Sequence, residues 1–295
     1  MEASRKKGVC LALLGATFWG ASSVAAQFLF QQKQMTPEWL VVVRLLSSGF
    51  LLLVYDGLKN RAGSFAIWRS ASDRGQLLLF AIFGMLSVQY TYFAAIRYGN
   101  AATATILQYL MPVIIVCYFA LRYWKMPRLL EIISVFLAMF GTLLLVTKGE
   151  FGHLALSTKA LVYGVTSAFA CAFYTVQPRG LLVKWRSPLV TGWAMFVGGA
   201  CMSLYQPPWQ FSGIWDMEAF GALSFVVLFG TIIAFCAYLE STKYISATQT
   251  STIASVEPLA SVVLSVWLLG TPFGLVDWCG MACILSTVFL LARAK

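Results

Sequence analysis

Charge is what this sequence has least of. Asp, Glu, Lys and Arg together make up 11% of its 295 residues, where a soluble domain carries roughly a quarter. One such core this poor in charge is excluded in practice, which leaves the membrane. Histidine occurs once, as His153, in a connecting segment, so a histidine-based triad or a zinc enzyme is excluded. The seven cysteines, at 10, 117, 171, 201, 236, 279 and 283, all fall in apolar stretches without zinc-finger or CxxC spacing. Cys279 and Cys283 share a helix face, which suits packing better than a metal. Walker, Rossmann and HExxH patterns are missing, so nucleotide hydrolysis and metalloprotease chemistry have no support. Nor is there a long soluble linker. The longest connection, about 58–76, carries Arg61, Arg69, Asp73 and Arg74. The sequence predicts no cofactor, no metal and no catalytic residue.

What the chain does have is apolar sequence. Apolar residues are 60% of the total, and mean hydropathy is +0.79. Aromatics are 15%, more than interfacial belts alone require. The apolar runs are continuous and not alternating, which excludes spanning strands. Ten stretches suit helices: 8–30, 38–57, 77–96, 103–121, 129–147, 159–177, 189–206, 219–241, 247–269 and 274–292. Each is near the roughly 20 residues that a 30 Å hydrocarbon core needs. The expected fold is an all-α membrane protein of ten transmembrane helices, with the lipid bilayer as a partner. Arg5-Lys6-Lys7 before an apolar run imitates a signal peptide. The run continues to Phe30, longer than an h-region, so it reads as an uncleaved first helix.

The net charge of +10 is a topology device, not a nucleic-acid footprint. With a cytoplasmic N-terminus, sixteen of the 21 Lys and Arg fall on the inner side. Only Lys33, Arg97, Lys148 and Lys159 fall outside, and Arg44 lies within a span. Such a bias in short loops places both termini in the cytoplasm and basic residues against anionic lipid. The expected location is the cell inner (plasma) membrane.

Two prolines organise the rest. Met111-Pro112 and Glu257-Pro258 interrupt apolar segments 146 residues apart, almost half the chain. Proline removes a backbone donor and frees the carbonyl one turn earlier. Lipid cannot satisfy that carbonyl. Laying 92–112 over 238–258 without gaps pairs Tyr92 with Tyr238, Tyr98 with Tyr244 and Ala101 with Ala247. Five spans per half make the second half enter from the opposite side. The sequence therefore predicts an inverted-topology repeat, 1–148 and 149–295, the arrangement that supports alternating access around a midplane site.

Certain short stretches point further. They are Ala16-Thr17-Phe18-Trp19-Gly20, Tyr98-Gly99-Asn100-Ala101, Glu257-Pro258 and Leu269-Gly270-Thr271-Pro272. With them the chain resembles the drug/metabolite transporter superfamily, in its ten-helix EamA-type branch. The resemblance covers nearly the whole chain. Thr271 departs from it, since the family turn usually has an acidic residue there. The resemblance implies a 5+5 inverted fold with helices 1, 3, 4, 6, 8 and 9 around a central cavity and helices 5 and 10 at the rear. It implies transport of small metabolites, commonly amino acids and often outward, with aromatic amino acids among the known cargoes of the ten-helix form.

Candidate site residues follow from chemistry that lipid does not tolerate. Glu257 lies deep in a span, where a charge costs about 2.5–3.5 kcal/mol or more. It is either a binding or proton-coupling carboxylate or a structural acid capping the Pro258 break. Arg44 either snorkels outward or pairs with a carboxylate, a substrate or broken-helix carbonyls. Trp19, followed by Gly20, Ala21, Ser22 and Ser23, is a large ring among small residues and is expected to line a cavity. Tyr90, Gln108 and Tyr109 carry polar groups that should face inward. Phe169, Phe173 and Tyr174 are expected on one face of the sixth helix. Ser255 supplies a hydroxyl beside Glu257.

Together these residues predict a secondary transporter exporting amino acids, aromatic ones among them, or related metabolites. An aromatic wall would face a few polar groups. A carrier of cationic drugs, or of nucleotide-sugar or lipid-linked cargo, is the alternative, although the latter wants several basic residues and only Arg44 is there. An intramembrane enzyme would need paired deep acids, and Glu257 stands alone. Nothing in the sequence fixes an oligomeric state.

Overall fold

A chain crossing lipid must satisfy its own backbone groups, and a helix does so within one segment. The computed structural model describes residues 2–60, 63–124, 126, 128–150, 155–245 and 247–293, without the side chains of 2–4, 60, 239, 247, 248, 251 and 252. These residues form helices and connections, with no strand among them. His153 and, from the charge count, Arg61, Lys125 and Lys295 lie outside the described residues.

In chain order the helices are α1 (Glu2–Gln31), α2 (Pro37–Asn60), α3 (Ala71–Tyr98), α4 (Ala101–Tyr123) and α5 (Leu129–Thr147). After them come α6 (Thr158–Lys184), α7 (Ser187–Ser203), α8 (Met217–Tyr238), α9 (Val256–Leu269, with Ala247–Ala254 leading into it) and α10 (Leu275–Arg293). Eight helices among the described residues are long and apolar enough to cross a membrane. The two expected spans outside that set are α7, with 17 residues, and α9, whose 14-residue part is shorter still because the helix is divided. The connection expected over 58–76 is also shorter. Ser70 caps α3 by accepting from the Asp73 N–H at 3.3 Å, so the helix begins at Ala71. Polar caps of this kind satisfy donors that an apolar run leaves open. Asn100, Ser157 and Asp216 do the same for α4, α6 and α8.

Both prolines break their helices, but not at their own positions. The α-helix of α4 ends at Gln108 and resumes at Met111, and Pro112 sits in the first turn of the new segment. Proline suits that turn because its missing N–H is an orphan there anyway. The corresponding break in α9 falls between Ala254 and Val256. A second pair of irregularities was not legible in the sequence. Phe80–Leu86 of α3 and Leu228–Ile233 of α8 are each wound as π-helix.

The packing repeats with the same period. α2 packs on α7, α5 on α10 and α4 on α9. α3 packs on α6 as α8 packs on α1; α4 packs on α6 as α9 packs on α1; α2 meets α8 as α7 meets α3. Exchanging each helix for the one five later reproduces these contacts. The α5–α10 pair touches backbone to backbone. A β-carbon on Gly141 would lie 2.7 Å from the Gly280 carbonyl oxygen. On its other side α5 exposes Phe136, Met139, Phe140 and Leu143, a stripe at helical spacing that faces lipid.

Ion pairs tie the two ends of this bundle. At one end Arg186 grips the buried Asp56 with two bonds of 2.9 Å, and Lys184 lies 2.9 Å from Asp73. At the other, Lys33 Nζ lies 2.7 Å from Asp216 and 2.6 Å from Glu218. The Lys33 ammonium, with the Ala219 N–H, holds the Asp216 carboxyl below the usual carboxylate range. That tie is present above the ordinary carboxylate pKa and is lost as pH falls through the depressed one.

Candidate functional site

A cavity of about 480 Å³ lies where the broken helices meet. Trp19, Ser22 and Ser23 of α1 line it, as do Gln108, Tyr109, Met111 and Pro112 of α4. Cys171, Tyr174 and Thr175 of α6, Phe235 and Tyr238 of α8, and Ala254, Ser255 and Glu257 of α9 complete most of the wall. The lining continues to Pro178, Leu182 and Ser187, at the end where α6 meets α7. Arg44 of α2 and Thr191 and Met195 of α7 also reach it, so more helices contribute than the six expected. Phe80 and Met85, from the π turn of α3, line the cavity too.

Glycine sets the wall. A β-carbon on Gly20 would lie 2.6 Å from the Glu257 carbonyl oxygen. One on Gly230 would overlap the Ser22 side chain. These two positions let α1 lie against α9 and α8 while Trp19, next to Gly20, turns its ring into the cavity. There the ring meets Phe235 and Tyr238, with centroids 5.9 and 5.1 Å away.

The freed carbonyl of the second proline is answered from the first half of the chain. Pro258 leaves the Ala254 carbonyl without its helical donor. The Tyr109 hydroxyl lies 2.8 Å from that oxygen and 3.1 Å from Glu257 Oε2, donating its one hydrogen between them. Tyr109 lies beside Pro112 in sequence, yet its hydroxyl serves the break beside Pro258, because α4 packs on α9. A Tyr109→Phe change keeps the ring and removes the donor. It should lower stability by about 1–3 kcal/mol, read as a lower unfolding midpoint in detergent. An unchanged midpoint would mean that the carbonyl has another donor.

Arg44 is buried, 8% exposed. It does not snorkel. Nε donates to Thr231 Oγ1 at 2.8 Å, one terminal nitrogen to Gln89 Oε1 at 3.0 Å, and the other to the Gly230 carbonyl at 3.2 Å. Gly230 and Thr231 belong to the π turn of α8, so the arginine holds broken-helix backbone. Two further polar groups line the cavity. Ser255 Oγ is buried without a hydrogen-bond partner among the described residues. The Gln108 amide likewise lines the cavity.

Three expected site residues lie elsewhere. Phe169 is 57% exposed and faces away, and Phe173 is not part of the lining. The cavity face of α6 runs through Cys171, Tyr174, Thr175 and Pro178, a helical stripe. At about 100° per residue, Phe169 and Phe173 fall on the opposite side. Tyr90 also leaves the cavity: its hydroxyl donates to Glu38 at 3.1 Å and its ring packs on Tyr163.

Away from the α6–α7 junction the cavity is closed by two layers of hydrogen bonds. In the first, Ser23 and Ser261 lie 2.8 Å apart, and Tyr92 and Thr105 lie 2.7 Å apart. Thr105 reaches on to Ser261 at 3.4 Å. The second centres on Gln27, 2% exposed. Its Oε1 accepts from the Ala101 N–H at 2.7 Å and from Ser265 at 3.1 Å. Its Nε2 donates to Thr271 at 3.1 Å and to Gln31 at 3.0 Å. Sequence reasoning passed over Gln27, although a lone amide in an apolar run is a readable signal. The layer also accounts for two of the short stretches. Asn100 caps α4 so that the next N–H meets Gln27, and Gly270, at φ +62°, turns the chain so that Thr271 does.

The sequence profile of the EamA-like transporter family matches residues 6–147 and again 158–293. An uncharacterized inner membrane transporter of Salmonella typhimurium, YicL, is 36% identical over 289 residues, covering 98% of this chain and 96% of its own. YedA, an uncharacterized inner membrane transporter of Escherichia coli, is 23% identical over 97% of this chain and 92% of its own. A solved crystal structure, 15% identical in sequence, superposes with a TM-score of 0.64 over 98% of each chain. That last likeness is one of fold alone.

Proposed function

Because this chain belongs to the EamA-like transporter family, we propose that it exports amino acids, aromatic ones among them, or related metabolites across the inner membrane. It is a membrane transporter of small solutes; the cargo and the direction are the proposal. One observation carries it. The cavity sits at the paired helix breaks and presents Trp19, Tyr109 and Tyr174 beside Glu257 and the unpartnered Ser255 hydroxyl. An apolar wall with a few placed polar groups is the usual form of a small-molecule site.

In this reading 1–148 and 149–295 are inverted repeats with cytoplasmic termini. The exchange of packing partners with a period of five helices supports it, as do the two family matches and the charge asymmetry. The α6–α7 end, which the cavity lining reaches, is then cytoplasmic, and the Gln27 layer closes the outer side. In this reading the cavity faces inward, and alternating access opens the Gln27 side while closing the other.

The test is efflux from proteoliposomes loaded with single amino acids or cationic dyes, with and without a pH gradient. Protein-dependent efflux of amino acids, strongest for aromatic ones, is the expected result. Movement of dyes alone would overturn the amino-acid assignment in favour of a drug carrier.

A further inference from the structure

We propose that Arg44 is the anchor for a carboxylate on the cargo, so that solutes lacking one are poor substrates. The proposal rests on the transport reading above and narrows its substrate class. Arg44 lines the cavity and is buried. All three of its protein partners are neutral: a threonine hydroxyl, a glutamine amide oxygen and a backbone carbonyl. Among the described residues no carboxylate forms an ion pair with it.

A guanidinium carries five N–H donors, and three contacts leave two of them unused. Neutral acceptors orient the fork without cancelling its charge. The charge therefore stays available to the cavity. A buried cation with no carboxylate in direct contact is costly, and a charge kept within a membrane span marks a functional site by default. The planar fork suits a carboxylate, which it binds with two parallel bonds. The ring of Phe93, 5.1 Å from the guanidinium carbon, helps to hold the plane.

The same cavity holds one acid, Glu257, beside the unpartnered hydroxyl of Ser255. The Glu257 carboxylate accepts, and Arg44 donates. One positive and one negative anchor match a zwitterion in charge. Polyphosphate cargo would need more cations than this one, and a cationic drug would leave Arg44 without a partner.

Matched probes test this on the purified full-length protein, with binding read by titration calorimetry in detergent. The series are L-phenylalanine, phenethylamine and L-phenylalanine methyl ester, then L-leucine, isoamylamine and L-leucine methyl ester. The free acids should bind at least about ten-fold more tightly than the amine or the ester, because a site built to pair a polar group rejects the analogue without it. Arg44→Gln should bring the ratio close to one, and Arg44→Lys should keep part of it. Equal binding of acid and ester by the wild type would overturn the proposal, and that comparison stands even where Arg44→Gln does not fold. A variant that weakens every probe alike, with the ratio unchanged, would make Arg44 a structural strut and also overturn it. Binding of ethidium in preference to both acids would overturn this proposal and leave the protein a transporter. Failure of every probe here and of every solute in the efflux screen would overturn the transport reading itself, and this proposal with it.

Discussion

A Glu257→Gln variant should fold normally and lose gradient-driven transport by more than about ten-fold, because a carboxyl this deep in a span carries either a proton or the cargo's charge. The substitution separates the two roles that one side chain has here. As a structural acid, Glu257 accepts from Tyr109 at 3.1 Å beside the Pro258 break. Glutamine keeps that acceptor and the same size, so the structural role survives. It cannot exchange a proton in the relevant pH range or pair with an ammonium, so a coupling or binding role does not. Two measurements check the result: the unfolding midpoint and the proteoliposome efflux rate under a pH gradient. A variant with an unchanged rate would make Glu257 structural and place coupling elsewhere. A variant that retains counterflow but not its response to the gradient would assign the proton, and not the cargo, to this carboxyl.

Gln27→Leu should have the second large effect, on the balance between conformations. In the closed layer the amide uses all of its capacity, with two bonds accepted and two donated, tying α1 to the head of α4 and to the end of α9. Leucine fits the volume and leaves the Ala101 N–H without its partner. An orphaned buried donor costs about 1–3 kcal/mol. Once the layer opens, water supplies that partner, so the cost falls on the closed state alone. The equilibrium should move toward outer opening by about 5–150-fold. A cysteine placed at Ser261, beneath the layer, reports this in a background freed of native cysteines. An impermeant thiol reagent applied from the outer side should label it faster by a comparable factor. Equal labelling rates would show that the Gln27 layer is not the barrier.

Both variants act on residues whose importance was unequally visible in sequence. Glu257 announced itself as a lone acid in an apolar run, and Pro258 placed it at a break. Gln27 sits in an equally apolar run, but its meaning depends on an N–H 74 residues away and on Thr271, 244 residues away. In sequence Thr271 is only a departure from an acidic position; in the fold its hydroxyl is the partner of an amide. Tyr109 is three residues from Pro112, but its hydroxyl answers the other proline. The aromatic positions of α6 divided in the same way. The spacing groups Phe169, Phe173 and Tyr174 too loosely: Tyr174 lies about 100° round the helix from Phe173, and it faces the cavity with Cys171 while Phe169 and Phe173 do not.

By itself the sequence determined that this chain is helical and lies in a membrane, and which two of its helices carry a proline break. These properties are local. Hydropathy and proline act through the lipid and water next to each segment, and need no knowledge of the other half. Only the tertiary structure decided that α4 supports α9 at its break, that Arg44 is held by a π turn without a direct ion pair among the described residues, and that Gln27 seals one end. Those outcomes depend on which helix faces meet. In a span apolar on nearly every side, the residues that settle this are the glycines and single polar groups, whose partners lie far away in the chain.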